Sequence, residues 1–204
     1  MNKHAFESPD AAVAWALRFE AGLGLAAILV GLLIGHPALG GFVGASRAQA
    51  GWDVLWGTAA TLPLFALLVL SDLYPIGPLR SLQETMDEKV LQLFAGTSLD
   101  QLALIAFAAG LGEELLFRGV LQTALIDWTS VWWGIGLAAI IFGGCHYISH
   151  TYAVFAAAIG LYLGLLFFWT GNLVAPIVTH GLYDFLALAY LLKWRHRPGV
   201  DVRG

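Results

Sequence analysis

Long apolar runs broken by short polar stretches dominate the chain. A run centred on AGLGLAAILVGLLIG predicts a helix near residues 17–39, and WDVLWGTAATLPLFALLVLSD predicts a second near 52–72. After the longest polar stretch, four more runs follow in quick succession, at about 99–125, 131–149, 152–170 and 172–193. Each is close to the ~20 residues a helix needs to cross a bilayer, and the last linkers are short enough to force antiparallel neighbours. The expected fold is all-α: a polytopic transmembrane helix bundle of about six spans. Between the second and third runs, residues 73–98 are polar on the whole. Leu82, Met86, Val90 and Leu93 nevertheless recur there at helical spacing, the pattern of an amphipathic helix lying on a membrane surface. The chain thus divides into N-terminal spans with an interfacial segment (1–98), a core (99–193) and a basic tail (194–204).

Composition supports the membrane assignment. Of 204 residues, 59% are hydrophobic and 12% charged, about half the charged share of an ordinary soluble domain, and the mean hydropathy is +0.76. Trp52, Trp132, Trp133, Trp169 and Trp194 fall near the expected span ends, where aromatic rings favour the interface. No removable signal peptide is read at the N-terminus, and the single cysteine, Cys145, excludes an intrachain disulfide. Six spans place both termini on one side, together with Lys3, Arg18, Arg80, Lys89, Lys193, Arg195, Arg197 and Arg203, against Arg47 alone on the other. The positive-inside tendency makes the first side cytoplasmic. The pairs Gly31/Gly35, Gly40/Gly44 and Gly160/Gly164 predict close helix packing and say nothing of oligomeric state.

The chemistry lies in the charges that interrupt the apolar runs. Residues 110–122 read GLGEELLFRGVLQ, so Glu113, Glu114 and Arg118 fall inside a span, each costing roughly 2.5–3.5 kcal/mol at a helix centre on insertion scales. Glu114 and Arg118 are four apart, in the favourable order for an ion pair. Glu113 is rotated by about 100° and left free of that pairing. Later spans contribute His146 in FGGCH, four residues after Phe142, and His180 with Asp184 in HGLYD. Intramembrane ionisable groups usually turn inward and pair, so the three clusters are expected to meet. His36 and His150, at span ends, read as ordinary structural residues. Paired carboxylates are more than packing requires, but they suit hydrolysis, in which one group takes a proton from water and returns it to a leaving amine. Burial disfavours the charged form of a carboxyl, which suits that double role.

The order EExxxR, FxxxH, HxxxN/D on successive spans resembles the CAAX protease and bacteriocin-processing (CPBP, or Abi) family of intramembrane endopeptidases, over roughly residues 99–193. The resemblance implies that Glu113 and His146 activate the attacking water and that Glu114 and Arg118 support the site. It implies that His180 and Asp184 polarise the scissile carbonyl. Members with Asn at the position of Asp184 have an amide donor there, whereas an ionised carboxylate only accepts hydrogen bonds; either Asp184 is protonated or it orients a protonated His180. The implied substrate is a membrane-associated peptide or protein, either a prenylated CAAX protein or another membrane peptide, with the bilayer as the other partner and no nucleic acid. The expected enzyme needs no cofactor. The alternative is a divalent ion, zinc before others, held by Glu113, His146, His180 and Asp184. The competing functions are a non-catalytic immunity or binding protein and a proton-coupled transporter, since intramembrane acids and imidazoles also relay protons. The 73–98 segment, on the expected active side, reads as an interfacial connector or as a gate.

Overall fold

A computed structural model describes residues 8–42 and 47–195. The first helix, α1 (Pro9–Ile34), begins eight residues before the apolar run that predicted it, because Ser8 caps it by accepting from the Ala11 N–H and Pro9 occupies its first turn. A Pro at that position has no N–H to waste and a preset φ. Helix α2 (Arg47–Leu73) follows, then the short α3 (Pro78–Thr85), which continues as a π turn and a 3-10 turn to Phe94. Helix α4 (Leu99–Glu114) starts at a reciprocal capping box between Ser98 and Gln101. It runs without a break into a π-helical stretch, Leu115–Gln122, and on into α5 (Thr123–Trp128). The remaining helices are α6 (Val131–Cys145), α7 (His150–Thr170, capped by Ser149) and α8 (Val174–Ala189), which ends in a π turn to Trp194.

Side-chain bridges fix which helix ends lie together. Gln101 donates to Asp10 at 2.7 Å, joining the starts of α1 and α4. Tyr190 and Arg195 reach Asp72, joining the ends of α2 and α8. Thr85 meets Ser149, bringing the start of α7 to the same end. At the opposite end Asn172 donates to Asp53 at 2.8 Å and His36 faces Asp127. The chain therefore traverses the bundle in alternating directions, and the result is a helical membrane bundle with α8 packed between α4 and α2, α1 against α4, and α6 against α7.

The expected count of six spans needs a refinement. Among the described residues, four helices are each long and apolar enough to cross a membrane: Pro9–Ile34, Gln49–Leu73, His150–Thr170 and Val174–Trp194. A fifth is reached if Pro78–Phe94 and Leu99–Trp128, which meet at 109°, count as one bent span. The apolar α6 has 15 residues, about 22 Å at 1.5 Å per residue, short of the ~30 Å hydrocarbon core. It stops at Cys145, so His146 lies just past a helix end and not within a span as the apolar run suggested. The five tryptophans expected at the interface are all exposed on the outside of the bundle. Lys3, Arg197 and Arg203, Gly44 and most of the 194–204 tail lie outside the described residues.

Candidate active site

Two contacts without side chains set α4, α8 and α1 in register. A Cβ on Gly110 would lie 2.7 Å from the Gly181 amide nitrogen, and one on Gly112 would lie 2.6 Å from the Glu20 carbonyl. These backbone-to-backbone approaches carry Glu113 and Glu114 to the same level as His180 and Asp184. Immediately afterwards the helix widens to the π form, a feature that recurs at functional sites. The wider turn lets Arg118 and Gln122 reach carbonyls of α7: Arg118 Nη2 donates to Gly160 at 2.9 Å and Gln122 Nε2 to Gly164 at 3.0 Å. Gly160/Gly164 thus packs closely, as its spacing predicted, against Phe142 and Gln122.

All six predicted site residues come together. Glu114 Oε1 accepts from Arg118 Nη1 at 2.8 Å and from His180 Nδ1–H at 2.8 Å, with Glu114 0% and Arg118 1% exposed. The ion pair expected from the four-residue spacing is therefore present, and His180 is its third member. Its other ring nitrogen, Nε2, faces Asp184 Oδ2 at 3.4 Å. Glu113 takes no part in this triad. Its Oε2 faces His146 Nε2 at 3.4 Å and makes no hydrogen bond among the described residues. His146 Nδ1 lies 2.8 Å from the Phe142 carbonyl. A carbonyl only accepts, so Nδ1 bears a hydrogen, and the lone pair or proton that faces Glu113 belongs to Nε2. Phe142 joins the two halves: its ring stacks on His146 (4.4 Å between centroids), meets His180 edge-on (6.0 Å), and lies under the Arg118 guanidinium (4.6 Å).

Glu113, His146, His180 and Asp184 line a cavity of about 640 Å³ with largely apolar walls, which also reaches Asp72, Gln83 and Arg195. Cys145–Ile148, where α6 ends, border it. Leu82, Met86 and Val90, the stripe that predicted a surface helix, turn toward this cavity, while Leu93 is 37% exposed. The segment is thus a wall of the cavity as well as a connector. His36 and His150 stand apart from the cluster, against Asp127 and Tyr147.

One residue of the site escaped the sequence reading. Glu20, from α1, lines the cavity beside Glu113. Placing the first helix at 17–39 left Glu20 at a membrane edge. The Ser8-Pro9-Asp10 start signal puts it eleven residues into the helix, about 16 Å from its beginning.

The four residues considered as metal ligands approach in two pairs, Glu113 with His146 and His180 with Asp184. Among the described residues no group of three His, Cys, Asp or Glu side chains is placed to hold an ion. The carboxylate best enclosed, Glu114, already serves Arg118 and His180.

Residues 95–186 match the family described as type II CAAX prenyl endopeptidase Rce1-like. This stretch, a little under half of the chain, is similar to that family. The match begins just before α4 and ends two residues after Asp184, so it contains the EExxxR, FxxxH and HxxxD segments and omits α1 with Glu20. The chain is also 34% identical over 108 residues to the uncharacterized protein YpbD of Bacillus subtilis (strain 168), covering 52% of this chain and 52% of that protein. It spans about half the length of this curated relative. No solved structure matches the chain.

Proposed function

We propose that this protein is an intramembrane endopeptidase that hydrolyses a peptide bond of a membrane-associated substrate, without a metal ion. The observation that carries the reading is the division of labour between adjacent carboxylates. Glu114 is enclosed by two donors, whereas Glu113 and His146 face each other at 3.4 Å on the cavity side. Catalytic hydrogen bonds are often long before substrate binds.

In the proposed reaction, a water between Glu113 and His146 attacks the scissile carbonyl carbon while Glu113 Oε2 accepts one of its protons. His180, oriented by its Nδ1–H bond to Glu114, presents Nε2–H to the developing oxyanion. Asp184, beside Nε2, stabilises the imidazolium, so the acid needs no donor of its own. On this reading Asp184 is the orienting carboxylate beside His180. As the tetrahedral species collapses, the C–N bond breaks and Glu113 returns its proton to the departing amine. The products are a new carboxyl terminus and a new amino terminus. Preorganised oxyanion donors of this kind are commonly worth about 2.7–4 kcal/mol each.

The substrate is an extended peptide reaching the cavity from the end lined by α3, which the charge asymmetry makes cytoplasmic, in the cell membrane. Prenylated CAAX-type proteins are one class that the family name suggests. The test is a comparison of membrane-protein termini in cells carrying wild-type protein or Glu113→Gln. New termini present only with wild type support the reading. Ion-coupled flux lost without any change in peptides would assign a proton relay, and a phenotype untouched by Glu113→Gln would assign a binding protein.

A further inference from the structure

Glu20 is the one carboxyl lining the cavity that has no basic partner among the described residues. Glu113 faces His146, Asp184 faces His180 and Asp72 binds Arg195. Glu20 is nine-tenths buried, and its Oε2 makes no hydrogen bond among the described residues. Arg118 cannot serve it, being held by Glu114, the Gly160 carbonyl and the Phe142 ring. Glu20 is also held in place. The Gly112 contact presses the α1 backbone onto α4, and Glu20 Oε2 lies 3.5 Å from where a Gly112 Cβ would be, one residue before Glu113.

A buried acceptor left without a partner costs roughly 1–3 kcal/mol, and more if charged. Such a group in the wall of a binding cavity is a subsite waiting for a donor. We propose that Glu20 is a specificity-determining residue that binds a cationic side chain of the peptide, lysine or arginine, within about two residues of the scissile bond at ~3.5 Å per residue. The apolar walls take the substrate's neighbouring aliphatic or aromatic side chains, and Glu20 takes its positive charge. This rests on the proposed peptide substrate but not on its hydrolysis.

The test therefore reads binding in full-length protein made inactive by Glu113→Gln and reconstituted in nanodiscs. The probes are fluorescent lipidated peptides, alike except for Lys, norleucine or Glu at each of three positions on either side of a central apolar pair. At one position the Lys peptide is expected to bind roughly tenfold tighter than the norleucine peptide. Adding Glu20→Gln is expected to bring that ratio to about one, and Glu20→Lys to favour the Glu peptide instead. Glu20→Asp, which retains the charge, is expected to keep the order and serves if Glu20→Gln folds poorly. Equal selectivity with Glu20 and Gln at this position, or no preference for Lys anywhere, overturns the proposal, and the former makes Glu20 a packing residue. Wild-type hydrolysis without this selectivity rejects only the Glu20 subsite. Selectivity without wild-type hydrolysis rejects only the peptidase reading.

Discussion

Glu114 accepts from a guanidinium and an imidazole on one oxygen and is wholly enclosed. Glu113, one residue earlier on the same helix, faces a cavity and a single imidazole at a looser distance. The step of about 100° between neighbouring helical positions separates a residue that holds the bundle together from one free to react. A buried ion pair is weak evidence for stability but costly to break from one side. The same residue type is therefore expected to fail in two different ways when replaced.

The largest effect is expected from Glu113→Gln, which keeps shape and removes the proton acceptor. Cleavage of a membrane peptide should fall by about 10²–10⁴-fold, with a melting temperature in detergent close to wild type; parallel losses of fold and activity would erase the contrast. Glu114→Ala leaves Arg118 buried without its carboxylate and should cost about 3–5 kcal/mol of stability, seen as early melting and poor recovery. Adding Arg118→Met should restore much of that stability without restoring activity, since His180 still lacks its acceptor. Gly110→Val inserts a side chain where α4 meets the α8 backbone. It should cost about 1–3 kcal/mol and lower activity on both sides of the comparison. Phe142→Leu removes the ring shared by both halves and should cost about 0.5–1.5 kcal/mol, with a modest drop in turnover. The smallest effect is expected from chelation: cleavage before and after a strong chelator should agree within about twofold. Stoichiometric zinc in purified protein, with activity lost on its removal, would make Glu113 a ligand.

Much of this contrast was legible in the order of residues, because a helix converts spacing directly into direction. The i, i+4 relation joined Glu114 to Arg118 and His180 to Asp184, and the cost of charge in lipid implied that the clusters meet. What spacing could not supply was the crossing of separate helices. His180 bonding Glu114, 66 positions away, depends on the Gly110–Gly181 approach, and nothing local marks those two glycines as partners. The end of α6 at Cys145 was hidden because GGCHYI remains apolar after the helix has stopped. Glu20 was missed because Arg18 and Glu20 interrupt the apolar run near its start, so the run was begun at 17, whereas the Ser8-Pro9-Asp10 cap signal starts the helix at Pro9. The amphipathic 78–94 stripe was readable as a face, yet not as one that would find a cavity instead of lipid.

The eight-residue π stretch that follows the paired acids has a consequence for engineering this chain. An ordinary helix tolerates sliding by a full turn, because each residue then inherits an equivalent neighbour. Here the looser winding of this helix is confined to Leu115–Gln122, and Arg118 and Gln122 grip two carbonyls one turn apart. Inserting or deleting a single residue between 115 and 122 would rotate everything downstream and release both grips together. Indels should therefore be tolerated at Thr129–Ser130 far better than a few positions upstream.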